Sequence, residues 1–202
     1  MISDLSVITD DFNVQEVSAS FTPSRNISPG QHIPAVIRRD DKNILVTFLW
    51  GLIPSWSKDT SIGAKLINAR AETVNEKPSF KNAFQKRRCL IVADGFYEWK
   101  KDGKKKIPYY FYLKSGKPFG FAGLYESWFS PEKKQMDTCT IITTQANSLV
   151  RPIHERMPVI IPKKQEEIWL KNKMTDTPSL LEVLKPYPAE DMTMVECRID
   201  PQ

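Results

Sequence analysis

The chain has 202 residues, of which 41% are hydrophobic, and this length suits one domain with a buried core. Its 29 basic and 24 acidic residues give a formal net charge of +5, which favours a polyanionic partner only weakly. The three cysteines form no C-x-x-C pair, and the apolar runs are too short to span a bilayer. A disulfide-rich secreted domain and a membrane protein are therefore disfavoured, and a cytoplasmic location is expected.

The first predicted element is a helix near the amino terminus. Leu5, Ile8 and Phe12 follow one another at helical spacing, and Ser3 and Asp4 precede them as candidate capping residues. Beyond this helix, 15 prolines and many short β-branched runs indicate a strand-rich fold with few further helices.

Two strands and a short helix are predicted next. The strands lie near Ile33–Arg38 and Asn43–Trp50, on either side of the polar turn RDDKN. The helix begins at Pro78, carries Phe80 and Phe84 one turn apart, and ends in the basic run QKRR, which suits the helix dipole.

The stretch CLIVADGFYEWKKDGKKKIPYYFYL, from Cys89 to Leu113, is predicted to form a hairpin of two strands around a lysine-rich turn. The segments PFGFAGLYESW and TCTIITT are predicted as two further strands. A final helix is predicted in PKKQEEIWLKN, with Ile168 and Trp169 facing the core.

Four polar side chains lie in or beside apolar runs: Asn68 and Arg70 in LINARAE, Glu98 in DGFYEW, and His154 in RPIHERMPV. Glu98 alone is consistent with ordinary strand alternation, in which it shares one face with Phe96. A carboxylate beside large aromatic side chains is otherwise solvated at a sheet edge or buried with a partner, and Arg70 is one possible partner.

These four side chains have two interpretations. A buried carboxylate near an arginine, an asparagine and a histidine would have a proton affinity suited to general acid–base work. On the residues alone, a set of structural hydrogen bonds is favoured over that constellation. A metal site is not expected, because no other histidine or cysteine lies at ligand spacing from His154.

Nucleic-acid binding has separate support from cations and aromatic side chains. Trp56 in IPSWSKD stands among polar residues and has little reason to be buried. Cations that meet phosphates, beside aromatic rings that stack on bases, are the combination that single-stranded DNA binding requires. The hairpin turn contributes Lys100, Lys101, Lys104, Lys105 and Lys106. Taken alone, this lysine cluster is better explained as a solvated hairpin tip.

The motifs RNISPG, LWGLIPSW, LINARAET, RRCLIVADGFYEWKK, PYYFYL, FAGLYESW, TIITTQAN and IHERMPVII occur in the order and spacing of the SOS response-associated peptidase (SRAP) family. The chain resembles this family from about Asn26 to Trp169. The resemblance implies a single α+β domain over residues 1–202, with a mostly antiparallel, curved, barrel-like sheet and a few peripheral helices.

The same resemblance implies a protein that shields abasic sites in single-stranded DNA, with no cofactor, no metal and no membrane partner. Family members lose their initiator methionine, and the exposed N-terminal cysteine condenses with the sugar aldehyde to form a thiazolidine crosslink. The amine gives a Schiff base and the thiolate traps it, and both steps need proton transfers from positioned groups. Removal of a short N-terminal propeptide is also implied and explains the peptidase label.

Four positions of this chain match catalytic residues of the family. Glu98 corresponds to the glutamate that shuttles a proton at the N-terminal amine. His154 corresponds to the histidine that assists ring opening and crosslink reversal. Asn68 is implied to hold the N-terminal residue or the sugar, and Thr143 is implied to support the site.

Four other positions match the family's DNA-binding surface. Arg70 is implied to grip a phosphate beside the lesion. Trp56 is implied to stack where the strand is splayed, and the turn containing Asn26 to shape the pocket. Lys77 is the fourth implied DNA contact.

The sequence departs from the family at both ends. Members begin Met-Cys-Gly-Arg-Phe or a close variant, whereas this chain begins Met1-Ile2-Ser3-Asp4, so the chain as written is expected not to crosslink DNA. The end, MVECRIDPQ, stops where members continue through a further strand. Either the true start lies upstream, which the otherwise intact site favours, or the chain is a diverged member that binds DNA without crosslinking.

Two alternative functions follow from the missing nucleophile. The first is a non-covalent single-stranded DNA-binding module. The second is a thiol peptidase acting on proteins. The peptidase is disfavoured because no cysteine of this chain lies near the candidate catalytic residues. None of the cysteines can replace the crosslinking nucleophile either, because Cys89 and Cys139 occupy predicted strands and no internal cysteine has a free α-amine.

Overall fold

The computed structural model describes residues 3–20, 22–172 and 176–198. Within these residues, sixteen helices and strands are numbered in chain order. They are α1 (Leu5–Asp11), β1 (Val14–Val17), β2 (His32–Arg39), β3 (Lys42–Trp50), β4 (Asn68–Arg70), α2 (Lys81–Lys86), β5 (Arg88–Ala93), β6 (Gly95–Asp102), β7 (Lys105–Leu113), β8 (Phe119–Phe129), β9 (Gln135–Gln145), β10 (Arg156–Pro158), β11 (Ile160–Ile161), α3 (Glu166–Leu170), α4 (Thr177–Glu182) and β12 (Met192–Glu196). Short 3-10 turns lie at Thr60–Lys65, Lys163–Gln165 and Ala189–Asp191.

Five strands form a closed barrel in the order β3, β2, β5, β8 and β9. Consecutive neighbours are antiparallel, and the ring closes through a short parallel pairing of β3 with β9, in which Leu49 faces Thr138 and Trp50 faces Cys139. The predicted single α+β domain with a barrel-like, mostly antiparallel sheet is confirmed. The strands predicted near 33–38 and 43–50 are confirmed as β2 and β3, each with slightly wider bounds.

Strand β9 carries two short strands that bring distant parts of the chain together. Strand β4 pairs with it in parallel, with Arg70 opposite Thr143, and β10 pairs with it antiparallel, with Pro158 opposite Thr143. Thr143 therefore has the Asn68–Arg70 strand on one side and the strand that follows His154 on the other.

A second sheet contains three strands in the order β12, β7 and β6, and it corrects one prediction. The stretch from Cys89 was predicted to enter a single long hairpin, but the chain forms two strands that belong to different sheets. All six residues of the barrel strand β5 are buried, and the chain leaves that sheet at Asp94. Only β6 and β7 form the predicted hairpin, with Asp102 opposite Lys105 at its tip.

Glycine at position 95 is required by the close approach of β7. A Cβ atom at Gly95 would lie 2.4 Å from the carbonyl oxygen of Phe111 and 2.4 Å from the ring of Tyr110. Neither the backbone nor the ring leaves space for a side chain, so Gly95 lets the Tyr110 ring lie across the start of β6.

The core consists of two apolar clusters on opposite faces of the barrel strands. One cluster packs the helices against residues such as Leu90 and Ile142, and the other packs the small sheet against residues such as Ile91 and Ile141. Alternate residues of β5 and β9 thus enter different clusters, as the two-residue period of a strand requires.

The predicted helices are confirmed with corrected details. Asp4 is the residue before α1 but its side chain makes no capping bond, and Ser3 instead binds Asp94 through its backbone N–H and its hydroxyl. Helix α2 begins at Lys81 rather than Pro78. Trp169 of α3 is fully buried as predicted, whereas Ile168 is exposed. No helix among the described residues is long and apolar enough to cross a membrane.

Candidate functional site

A cavity of about 490 Å3 lies where β4, β6, β9 and the start of β10 meet the loop at residues 25–29. Six of the eight residues that sequence reasoning nominated line it: Asn26, Asn68, Arg70, Glu98, Thr143 and His154. The four chemically notable side chains therefore share one concave surface, although they are separated by up to 86 positions in the chain (154 − 68). Trp56 and Lys77 do not line the cavity.

Strand β4 presents Asn68 and Arg70 on the same edge, with buried Ala69 between them. The two polar side chains are exposed because residues i and i+2 of a strand point to one face. No hydrogen bond connects the Asn68 amide to any other residue that the structure describes, so its donor and acceptor groups face the cavity unused. Arg70 provides a fixed positive charge two residues away.

Glu98 lies on the free edge of the three-stranded sheet, on the same face as buried Phe96. Its side chain is only 22% exposed. Burial raises the pKa of the Glu98 carboxyl above its ordinary value, while the nearby His154 and a hydrogen bond from the backbone of Trp99 oppose that increase. A carboxyl group with such a raised pKa can both accept and return a proton nearer neutral pH.

His154 is the ionisable neighbour of Glu98. Its Nδ1 lies 3.9 Å from Oε1 of Glu98, within ion-pair range but beyond a hydrogen bond. The same nitrogen lies 2.9 Å from the carbonyl oxygen of Arg156 and 3.2 Å from its backbone nitrogen. Arg70 was considered as the partner of Glu98, but within the described residues the ion pair of Glu98 is with His154.

A network that sequence reasoning missed supports this side of the cavity. The guanidinium of Arg156 binds both carboxylate oxygens of Glu72 at 3.0 Å and donates to the carbonyl and hydroxyl oxygens of Thr143 at 2.6 and 3.2 Å. These bonds lower the pKa of Glu72, since the guanidinium stabilises its charged form. Arg156 thus fixes the backbone groups that contact His154. In the sequence, the place of Arg156 in the HERMP motif was the one signal that it belongs to the site.

Aromatic side chains form part of the cavity wall, although none of them was nominated as a site residue. Trp50, Phe96, Tyr97 and Trp99 line the cavity together with aliphatic side chains. The indole of Trp50 donates to the carbonyl of Ile67 at 2.8 Å, which orients its ring beside β4. Apolar walls with a few polar groups are typical of ligand sites, because the walls exclude water while the polar groups fix orientation.

Trp56 and Lys77 lie outside the cavity but are accessible. The Trp56 side chain is 59% exposed, as predicted for a tryptophan among polar residues. Its turn is firmly held, because the Ser55 hydroxyl donates to buried Glu126 at 3.3 Å and the indole of Trp128 donates to the carbonyl of Ser57 at 2.7 Å. Lys77 is exposed on the turn that precedes α2.

None of the three cysteines lines the cavity. Cys89 and Cys139 are fully buried, and burial raises the pKa of both thiols. Cys197 is partly exposed on the far strand of the small sheet, and its pKa is also raised by burial. Thiolates are the nucleophilic form, so these environments suppress reactivity. In the described part of the chain, no group of three or more metal-ligating side chains is assembled.

The start of the described chain lies next to the cavity. The backbone N–H of Ser3 donates to Oδ2 of Asp94 at 3.1 Å, and Asp94 directly precedes Gly95, which lines the cavity. Met1 and Ile2, where the sequence departs from the family pattern, lie outside the described residues, as do residues 199–202 at the other end.

A family model, described as SOS response associated peptidase (SRAP), matches residues 1–200. The chain belongs to the SRAP family. The resemblance found in the sequence motifs is thereby confirmed over almost the whole chain.

Curated relatives within the SRAP family share a common name. An abasic site processing protein, YoqW, from Bacillus subtilis is 48% identical over 195 residues, covering 95% of this chain and 87% of that protein. Another abasic site processing protein, YoaM of the same organism, is 47% identical over 188 residues. The abasic site processing protein HMCES of Gallus gallus is 30% identical over 198 residues, covering 82% of this chain and 59% of that protein.

Solved structures show the same SRAP architecture. A protein from Bordetella bronchiseptica superposes with a TM-score of 0.84 at 27% identity, covering 97% of this chain and 96% of that one. A protein from Bacteroides thetaiotaomicron gives a TM-score of 0.79 at 36% identity, covering 84% of this chain and 75% of that one.

Proposed function

We propose that this SRAP protein binds abasic sites in single-stranded DNA through the cavity beside β4 and β6. The observation that carries the proposal is the meeting of Asn68, Arg70, Glu98 and His154 on one concave surface with an aromatic wall. The relatives named abasic site processing proteins support the same substrate.

Each polar residue of the cavity makes a different contact with the DNA. Arg70 neutralises a backbone phosphate next to the lesion, since Arg is the residue best suited to phosphate contacts. The unused amide of Asn68 bonds to the sugar hydroxyl and ring oxygens. Trp56, on its anchored turn outside the cavity, stacks on a neighbouring base, and exposed Lys77 contributes charge.

Glu98 and His154 supply proton transfer to the sugar. Opening the abasic sugar ring moves a proton from the C1 hydroxyl to the ring oxygen and yields a free aldehyde. A carboxyl and an imidazole that lie 3.9 Å apart can take up and deliver this proton at one side of the sugar. The raised pKa of Glu98 places its proton exchange closer to neutral pH.

We infer that covalent capture follows when an N-terminal cysteine occupies the cavity. Its amine would attack the aldehyde with loss of one water to form an imine. Its thiol would then add to the imine carbon while the nitrogen takes the proton, closing a thiazolidine ring. The contact of Ser3 with Asp94 supports this geometry, because it places Ser3 next to Gly95 of the cavity wall.

The covalent step is tested with an oligonucleotide that contains one abasic site. The chain is compared with a variant in which the sequence before Ser3 is replaced by Met-Cys-Gly-Arg-Phe. On a denaturing gel, this variant is expected to give a slow-migrating adduct. In that variant, Glu98→Gln and His154→Ala are each expected to slow adduct formation at least about tenfold, as removal of a general acid or base does. No adduct would refute covalent capture, and unchanged rates would refute the assigned roles.

The alternatives make different predictions in the same assay. A non-covalent single-stranded DNA-binding module would bind abasic and intact strands but form no adduct with either N-terminus. A thiol peptidase needs a reactive cysteine at the site, and the burial of Cys89 and Cys139 disfavours it. Abasic-site recognition is therefore the function that the site supports best.

A further inference from the structure

The hairpin of β6 and β7 has one face that extends beyond the cavity. The register places three pairs of residues directly opposite one another: Tyr97 with Tyr110, Trp99 with Pro108, and Lys101 with Lys106. Directly opposed residues of antiparallel strands project to the same side of a sheet, so these six side chains share one face, here called the outer face. Buried Phe96 and Phe111 lie on the other face, against the core.

The outer face is a row of accessible aromatic rings. The rings of Tyr97 and Tyr110 lie 5.0 Å apart, and those of Tyr110 and Tyr112 are stacked at 5.6 Å. Trp99 is 44% exposed, and Val195 of the neighbouring strand, opposite Tyr110, is 49% exposed. Trp99 and Val195 are thus open to solvent, whereas Tyr97, Tyr110 and Tyr112 are partly buried and the Tyr97 hydroxyl donates to the carbonyl of Arg25 at 3.2 Å.

The row of rings ends in two cations held side by side. Lys101 and Lys106 are both exposed and directly opposed, an arrangement that costs stability because like charges repel across a strand pair. No carboxylate within the described ranges forms an ion pair with either ammonium group. A bound anion would remove this repulsion, so the pair is better suited to a phosphate than to an empty hairpin tip.

The outer face begins at the cavity. Tyr97 and Trp99 belong to the outer face and also line the cavity, and Glu98 stands between them. With a rise of about 3.3 Å per residue, Lys101 lies about 10 Å along the strand from Glu98. A DNA strand whose abasic sugar sits at Glu98 reaches both the rings and the lysines within a few nucleotides.

We propose that the outer face binds one arm of the single-stranded DNA that leaves the cavity. The exposed rings at Trp99 and in the tyrosine row take bases, and Lys101 and Lys106 take a phosphate. This inference rests on the proposed abasic-site function and extends it by naming the path of the strand. Aromatic rings alternating with cations are the usual composition of single-strand binding surfaces.

The test measures the Kd of fluorescein-labelled single-stranded DNA containing one central abasic site, for the wild type and for Lys101→Glu/Lys106→Glu. We expect the variant to bind at least about tenfold more weakly at low salt. The slope of log Kd against log salt should fall by about 0.7, because one phosphate contact on a single strand contributes about 0.7.

A matched control lies on the other face of the same hairpin. Lys100 and Lys105 project to the core side of the hairpin, so Lys100→Glu/Lys105→Glu makes the same change in net charge without touching the outer face. We expect a clearly smaller loss of affinity in this control. Lys101→Glu alone separates binding from folding, because it replaces a repulsive pair with an attractive one and should leave Tm unchanged or higher while weakening binding.

Arm length gives an independent readout. Two shorter oligonucleotides are used. One carries the abasic site one nucleotide from its 5′ end, and the other carries it one nucleotide from its 3′ end. For one of them, wild type and Lys101→Glu/Lys106→Glu should bind equally, because the arm that reaches the outer face is missing. If Lys101→Glu/Lys106→Glu and Lys100→Glu/Lys105→Glu lose the same affinity for the long strand, the proposal that the DNA follows the outer face is overturned. A wild type without preference for the abasic strand would instead overturn the proposed function.

Discussion

Glu98 combines two environments that are seldom found together. Its side chain is mostly buried beside Phe96, yet its carboxyl faces a cavity that holds His154 at 3.9 Å. Burial raises its pKa, and the nearby His154 opposes this increase only in part, so the ionised form costs folding free energy. The raised pKa that suits Glu98 to proton transfer therefore also lowers the free energy of unfolding when the carboxyl is ionised.

Replacement of the Glu98 carboxyl by an amide tests whether its ionised form lowers stability. Because the folded-state pKa is raised, wild-type stability is highest below the unfolded-state pKa of Glu98 and falls as pH rises through the folded value. Glu98→Gln should therefore be more stable than the wild type at about pH 8, and this advantage should shrink towards about pH 4. Urea unfolding at the two pH values measures it. A stability difference that does not change with pH would contradict the buried, raised-pKa carboxyl.

Site residues could be predicted from the sequence only where they lie in a recognisable motif. Glu98, His154, Asn68 and Arg70 were nominated because each interrupts an apolar run. The bidentate contact of Arg156 with Glu72 was not predictable, since it joins side chains 84 positions apart whose orientation depends on three strands. The identity of the ionisable neighbour of Glu98 was uncertain for the same reason.

At the scale of elements, a buried arginine joins two helices to the barrel. The fully buried Arg88 at the start of β5 donates to the carbonyls of Phe84 and Gln85 at the end of α2, and to those of Trp169 and Lys171 at the end of α3. Carbonyls at helix ends lack partners within the helix, so one guanidinium caps both. Burial lowers its pKa to about 10, which leaves it charged at neutral pH.

Loss of this guanidinium should be costly. Arg88→Ala leaves four carbonyl groups without their donor and creates a cavity beside Trp169, and we expect a loss of about 3–5 kcal/mol in the free energy of unfolding. Exposed Lys86→Ala, at the end of the same helix, serves as the control and should change stability by less than about 0.5 kcal/mol. Chemical denaturation measures both. A loss below about 1 kcal/mol for Arg88→Ala would show that the helix ends do not depend on it.

The elements themselves were largely predictable, and their boundaries were not. The hairpin tip, the two early strands and the short helices follow from local patterns of apolar residues, glycine and proline. The division of the stretch from Cys89 into two strands was missed because β5 is apolar on both faces and the Asp94-Gly95 turn signal between β5 and β6 was not used. Only the partner strands reveal that Asp94 marks a change of sheet.

At the scale of the whole molecule, the site depends on how the barrel closes. The backbone of Gly51 donates to the carbonyl of Cys139 at 2.8 Å and completes the pairing of β3 with β9. Gly51 has a φ of +140°, and a Cβ there would lie 2.9 Å from the carbonyl oxygen of Gly63, so only glycine fits without strain. Such closure joins residues 88 positions apart, which local sequence patterns cannot specify. The cavity forms because β9 then holds β4 and β10 side by side.

The most direct test of the account is the preference of the cavity for an abasic site. We compare the Kd values of the chain for two single-stranded oligonucleotides that differ only in one abasic position. The wild type should bind the abasic strand more tightly, and Asn68→Ala should weaken that complex about tenfold while leaving intact-strand binding unchanged, because only the abasic sugar reaches the unused amide. Asn82→Ala, an exposed asparagine on α2, should change neither value. Equal affinity of the wild type for both strands, or an unchanged preference in Asn68→Ala, would contradict recognition of abasic sites by this cavity.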